Sequence, residues 1–154
     1  MKNKPTFRQL AGKLTPESQE IVMLTRTWRQ ARQKHLQFLI DLHSEEEDRA
    51  YVADVVLPAQ QVWHAEIEQV IAGFIAFADG WVHHLYVAPE FQNQRIGSEL
   101  LAIAKRSTPA LQLWVFESNL PAIEFYQREE FRIVERTDGE ANEAKRPDVR
   151  MQWR

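Results

Sequence analysis

The stretch Leu85–Leu101, LYVAPEFQNQRIGSELL, decides how the rest of the chain is read. A strand-like run breaks at Pro89, passes through a polar loop, and enters a helix that carries one glycine, Gly97. A helix entered this way presents unpaired backbone N–H groups and a partial positive charge. The stretch is therefore either an anion-binding strand–loop–helix or a plain connection.

Upstream of it lie three strand-like runs. VWHAEI ends near Glu68-Gln69, VIAGFIAFA ends at the hairpin dipeptide Asp79-Gly80, and WVHHLYV leads into the loop. The middle run is almost continuously apolar, as in a strand covered on both faces. Before these, a short strand is predicted near Thr6 to Leu10. A helix is predicted to start at Thr15-Pro16-Glu17, with Ile21, Leu24, Thr25, Trp28 and Ala31 as its core stripe. A second helix starts at the capping box of Ser44 and Glu47, turns Tyr51, Val52 and Val55 inward, and stops at Pro58. The acids Glu45 to Asp48 solvate its N-terminus. No metal site is expected, because hard cations need ligands converging from several directions.

Downstream, a helix is predicted from Ile96 to Ser107, then the buried strand LQLWVFES, then a helix opened by Asn119 over LPAIEFYQREE. FRIVERT, a turn at Asp138-Gly139, and DVRMQW close the chain as two strands. The order is strand, two helices, three strands, helix, strand, helix, two strands. It specifies a mixed α/β fold with a mostly antiparallel sheet. The helix from Ile96 crosses over to set the next strand parallel to the one ending at Val87.

With 154 residues, no linker-like stretch and no repeat, the chain reads as a single domain over 1–154. A net charge of −3 supplies no basic field, so nucleic acid is not an expected partner. Absence of cysteine excludes disulfides, thiolate metal sites and a cysteine nucleophile. The N-terminal MKNKPTFRQLAGKLT lacks the apolar core of a signal peptide, and no run approaches membrane-spanning length. The default expectation is a cytoplasmic protein with no membrane partner. Exposed strand edges and five tryptophans are compatible with a homodimer.

The opening stretch resembles the acetyl-CoA-binding segment of the GCN5-related N-acetyltransferase (GNAT) superfamily. That pattern is a valine-ended strand, a proline, then Gln or Arg, two variable residues, Gly, one variable residue, and Gly or Ala. Gln92 matches its first position and Gly97 its last. NLPAIEFYQREEF resembles the second signature of the family at Asn119, Ala122, Phe125, Tyr126 and Phe131. The likeness runs from Phe7 onward. Two glycines are replaced, by Arg95 and Glu130. Arg95 either needs a positive φ, at a cost of about 1 kcal/mol or more, or lies in the first helical turn, where its guanidinium could meet a CoA phosphate; the second reading is the expectation. Glu130 falls where a helix ends in a left-handed residue.

The resemblance implies a pair of parallel strands splayed around acetyl-CoA, and acetyl transfer to a small-molecule or peptide amine by direct attack. It assigns cofactor contacts to Leu85, Tyr86 and Val87, to the loop residues Gln92, Asn93, Gln94 and Arg95, to Ile96, Gly97 and Ser98 at the helix start, and to Ala122 and Tyr126. Asn119 is read either as a contact to the cofactor arm or as a helix cap. Tyr126 matches the acid that protonates the departing thiolate; its plain alternative is packing against the sheet. Alternation along a strand puts His83 on the face of Leu85 and Val87, which makes it the first candidate base, with Glu66 second. Two rivals remain: a non-catalytic or weakly CoA-binding module, suggested by Arg95 and Glu130, and an enzyme for another acyl-CoA or acceptor.

Overall fold

The computed structural model describes residues 3–154. A seven-stranded sheet runs in the order β1-β2-β3-β4-β5-β7-β6. Its strands are β1 Thr6–Leu10, β2 Gln61–Ile67, β3 Val70–Ala78, β4 Trp81–Val87, β5 Leu111–Phe116, β6 Arg132–Thr137 and β7 Asp148–Trp153. All neighbours are antiparallel except β4 and β5, which are parallel and share one register pair, Trp81 with Gln112. Helices α1 Gln19–Arg32, α2 Gln37–Ile40, α3 Glu45–Tyr51 and α4 Leu57–Ala59 precede β2; α5 Ile96–Ser107 and α6 Leu120–Arg128 flank β5. The mixed sheet, the parallel pair and the flanking helices agree with the sequence expectation.

Two cores lie on the two faces of the sheet. On one, Leu100, Leu101 and Ala104 of α5 pack with Ile75, Leu111, Leu113 and Met151. On the other, Ile21, Leu24 and Trp28 of α1 pack with Val52, Val56, Phe74 and Ala76. β3 feeds both, which explains its unbroken apolar run. Asp79 and Gly80 join β3 to β4 with φ of 52° and 82°, the paired positive values of a two-residue hairpin.

Several local expectations are corrected. α1 begins at Gln19 rather than at Thr15-Pro16. Ser18 Oγ accepts from the Thr15 N–H at 2.9 Å, and the Ser18 N–H donates to the Thr15 carbonyl at 2.9 Å. The two residues close a turn on each other, which delays the helix. The α3 capping box forms: Glu47 N–H donates to Ser44 Oγ and Ser44 N–H to Glu47 Oε1. The helix does not stop before Pro58, however. A wide π-turn over Val52–Val56 carries it into α4, with Pro58 inside that last turn. Pro58 has no N–H for the Asp54 carbonyl, and a widened turn relieves the clash of its ring. The extra residue rotates the apolar face, so Ala53 and Val56 are buried while Val55 is exposed; Tyr51, ahead of the turn, is partly exposed and packs against Trp28 and His84.

Asp48 departs from the expected solvated acid run. It is buried and takes Arg29 Nη1 at 2.6 Å and Arg32 Nη2 at 3.0 Å on one carboxylate oxygen. The pair ties α1 to α3.

A bulge in β4 sets the side-chain directions near the site. Val82 opposes Phe77 and His84 opposes Ala76, so His83 is the extra residue. Val82, Leu85 and Val87 therefore belong to the α5-side core. His84 turns to the α1 side, among Trp28, Tyr51 and Phe74. Desolvation, together with His83 and Arg32, pushes its pKa from 6.5 down to about 3. Below pH 6.5 the unfolded chain therefore takes up a proton that the folded chain refuses. Stability is complete above that pH and is lost as pH falls toward 3, by ~1.4 kcal/mol per unit at most. His64, lowered by burial, acts in the same direction; exposed His43, raised by its bond to Glu143, opposes it. Urea melts at pH 7 and pH 5 are expected to differ by about 2 kcal/mol less in His84→Phe than in the parent.

Candidate active site

Beyond Trp81 and Gln112, β4 and β5 share no further register pair. The backbone of β4 on that side is therefore open. Its polarity follows from one bond: Ala88 N–H donates to Ala72 O at 2.8 Å, toward β3. By strand alternation Tyr86 also turns its amide to β3, while Leu85 and Val87 turn theirs to the gap. Gln92 supports this geometry, since its Nε2 donates to the Val87 carbonyl at 3.1 Å. The Val87 N–H and both polar groups of Leu85 face a cleft of about 480 Å³.

The cleft runs into the start of α5. Ile96, Gly97 and Ser98 line it with their first-turn amides. Before them, Asn93 and Arg95 both have φ of 65°, which curls the loop. Arg95 is the N-cap, with left-handed backbone, and not part of the first helical turn. That corrects the sequence expectation: arginine occupies a conformation that suits glycine, at a cost of about 1 kcal/mol. Glu130 is also left-handed, at φ 72°, where α6 ends. Gly97 is required for a different reason. A Cβ there would meet Phe125 Cζ at 3.3 Å and Cε2 at 3.5 Å, so its absence lets α5 and α6 close together.

From α6 and the turn before it, Asn119, Ala122 and Tyr126 reach the cleft. Asn119 is the N-cap residue of α6, yet its side chain makes no capping bond, which leaves its amide available to a ligand. Tyr126 is buried, and burial raises its hydroxyl well above the ordinary phenol range, with Tyr86 adding to the effect. It keeps its proton at any physiological pH. Arg95 and Arg128 supply cationic side chains to the same lining.

The structure thus brings together Leu85, Tyr86, Val87, Gln92, Asn93 and Arg95 with Ile96, Gly97, Ser98, Asn119, Ala122 and Tyr126. Gln94 lies outside the lining. So do both candidate bases. His83, the bulge residue, is exposed and stacks on Trp81 at 6.4 Å; Glu66 lies 4.0 Å from Arg8 near the sheet edge. The assumed alternation fails at the bulge, so His83 cannot be placed beside Leu85 and Val87 by counting. Ala31, which sequence reasoning read as core of α1, lines the cleft near the end of that helix. Sequence reasoning missed His35 and Leu36, which line it as well. They sit where the helical pattern fades, and only the three-dimensional return of α1 onto β4 marks them. Among the described residues no group of three or more acidic or histidine side chains could hold a metal, and no helix is long and apolar enough to cross a membrane.

An open strand edge leading to a helix N-terminus defines a cleft for an extended ligand with an anionic end. The sequence profile of the Acetyltransferase (GNAT) family matches residues 24–131, and the chain belongs to that family. It is 34% identical over 85 residues to the peptidyl-lysine N-acetyltransferase YiaC of Escherichia coli, covering 54% of this chain and 58% of that one. Over 87 residues it is 31% identical to an N-acetyltransferase of Archaeoglobus fulgidus, covering 46% and 59%. The matches thus span somewhat over half the length of these curated relatives. In fold it is similar to apo YjaB of E. coli, with a TM-score of 0.72 at 22% identity over 97% of each chain. It is also similar to the PaiA N-acetyltransferase of Thermoplasma acidophilum in complex with coenzyme A, with a TM-score of 0.61 at 20% identity over 96% and 98%.

The left-handed N-cap makes a measurable statement about strain. Arg95→Gly is expected to raise stability to urea by about 1 kcal/mol. An unchanged or lowered stability would show that position 95 carries no such strain.

Proposed function

We propose that this chain is an N-acetyltransferase that moves an acetyl group from acetyl-CoA to a primary amine by direct attack in a ternary complex. The observation that carries the reading is the open backbone of Leu85 and Val87, running without a break into the amides of α5. The donor set fits the ligand. Leu85 and Val87 offer the strand-like partners that pantetheine amides need. The curled loop and the amides of Ile96, Gly97 and Ser98 suit a pyrophosphate. The free amide of Asn119 suits the arm between them. Arg95 suits a phosphate oxygen, which gives the strained conformation a functional reason.

Acetyl-CoA supplies an acetyl carbon activated by a thioester. The chain supplies the remainder. A β4 amide donates to the carbonyl oxygen as negative charge develops there. An alkyl ammonium, with a pKa near ~10.4, first gives one proton to solvent. The neutral nitrogen then forms the C–N bond as the C–S bond breaks. Tyr126 gives its proton to the departing sulfur, and the second amine proton restores the phenol. The products are amide and thiol, with one proton released overall. Without a cysteine there is no thiol to carry an acetyl-enzyme. His83 and Glu66 take no part in this account, because neither reaches the cleft.

The lysyl specificity named for YiaC makes a lysine-containing peptide the first acceptor to test. The rival, a non-catalytic module, draws on the strain at Arg95 and Glu130. Calorimetric titration separates them. Micromolar acetyl-CoA binding is expected, weakened in Arg95→Gln, with acetyl transfer to a lysyl peptide detected by mass. Tyr126→Phe is expected to lower kcat by about 100-fold with acetyl-CoA affinity unchanged. A folded protein that binds no acetyl-CoA would overturn the reading.

A further inference from the structure

The cleft has a second wall that acetyl-CoA binding leaves without a task. Ala31, His35 and Leu36 face it from the end of α1, together with Tyr86, which the resemblance assigned to the cofactor but whose amide turns to β3 and not to the gap. Tyr86 belongs to the opposite face of β4 from Leu85 and Val87, with its ring 5.9 Å from Phe74 and 6.4 Å from Trp28. It nevertheless lines the same cleft as Tyr126. The two faces share one cleft because β4 and β5 part. A carbonyl carbon held at Leu85 and Val87 is then reachable from the α1 side, past Tyr86.

Next to Trp28, whose ring neighbours Tyr86 at 6.4 Å, stands a buried cation. Arg32 is 4% exposed, its Nε donates to the Trp28 carbonyl at 3.3 Å, and its Cζ lies 3.8 Å from the centre of the Trp28 ring. Asp48 receives both Arg32 and Arg29, so two guanidinium groups share one carboxylate. The cluster is formally +1.

Of the other groups near Tyr86, His35 and Arg128 line the same cleft and carry no negative charge, and Glu143, a carboxylate that acts on the neighbouring Tyr51, is tied to His43. Phe74 from β3 and Trp28 from α1 are neutral. His84 is held neutral on its own strand. Tyr51 of α3 and Tyr126 of α6 keep their protons, because burial raises both. Tyr86 is likewise raised by burial, with Arg32 and then the Trp28 indole pulling the other way. Arg32 thus acts on a phenol that stays protonated. A second cation beside it meets repulsion in a poorly solvated site, whereas a neutral amine does not.

We propose that Tyr86 positions the acceptor amine on the α1 side of the cleft, its phenol oxygen accepting an N–H bond, and that buried Arg32 makes this subsite select the neutral amine. Accepting from N–H leaves the nitrogen lone pair free to attack. Tyr86 would touch the substrate; Arg32 is a positioning residue that acts through charge. The proposal rests on the acetyltransferase reading and names the acceptor subsite within it.

The test uses the full chain, acetyl-CoA and a lysyl peptide. Tyr86→Phe is expected to lower kcat/KM for the peptide roughly tenfold, while the calorimetric Kd for acetyl-CoA stays unchanged. Arg32→Met leaves Arg29 and Asp48 as a neutral pair. It is expected to move the acid limb of kcat upward by about one pH unit, since the bound amine regains its proton more easily. A merely structural role for Arg32 would lower activity at every pH without moving that limb. Titration of the peptide into the CoA complex reads Tyr86 without turnover, and Tyr86→Phe should weaken it. Unchanged peptide kinetics and affinity in Tyr86→Phe would overturn the proposal, as would a loss confined to acetyl-CoA affinity. Failure of the parent to bind acetyl-CoA would instead overturn the underlying function.

Discussion

The structure turns on a contact that is not made. After Trp81 and Gln112, β4 and β5 stop pairing, and the hydrogen-bond capacity on one side of β4 is left unspent. Backbone groups without partners are costly when buried, so a gap of this kind persists only if water or a ligand reaches it. Here Gln92 satisfies one carbonyl and the cleft exposes the others. The surroundings hold the gap open. β3 clamps β4 from one side, with Gly73 admitting it closely: a Cβ at that position would lie 2.8 Å from the Tyr86 carbonyl oxygen. β7 holds β5 from the other side over six paired positions.

From that constraint the site follows in order. The strand delivers its open amides to the loop, and two left-handed residues curl the loop onto the start of α5. Gly97 lets α6 close in, and α6 brings Tyr126 to the cleft. The bulge at His83 brings Val82 to the face of Leu85 and Val87, while alternation puts His84 and Tyr86 on the other, so the two faces of one strand meet the cleft with different groups. The buried Arg29–Asp48–Arg32 cluster fixes α1, whose end lines the cleft, against α3.

Much of the scaffold was legible because its signals were local and agreed with one another. The run VIAGFIAFA, bounded by Glu68-Gln69 and Asp79-Gly80, predicted β3 to the residue, and the helix read from Ile96 to Ser107 is α5. The cleft lining between Leu85 and Ser98 was legible because its residues lie close together in sequence, Gln94 alone of those named there falling outside it. The rest depends on tertiary or competing local effects. Ser18 outbid Thr15 for the start of α1, and Pro58 was absorbed by a π-turn instead of ending the helix. The bulge defeated simple alternation at His83. Arg95 adopts the glycine-like conformation despite its side chain; the motif marked the position as a glycine, and the arginine itself argued for the helix instead. His35, Leu36 and Arg32 sit where helical periodicity runs out, and only the packing of α1 on β4 gives them a place.

The central claim is that the unpaired edge of β4 receives the ligand. Amide NMR of the labelled protein titrated with coenzyme A tests it most directly. Leu85 and Val87 should show downfield amide proton shifts on binding, as free groups become bonded, with Gly97 and Ser98 moving as well. Tyr86, whose amide is already committed to β3, should move less. Binding that shifts Tyr86 strongly but leaves Leu85 and Val87 in place would contradict the account.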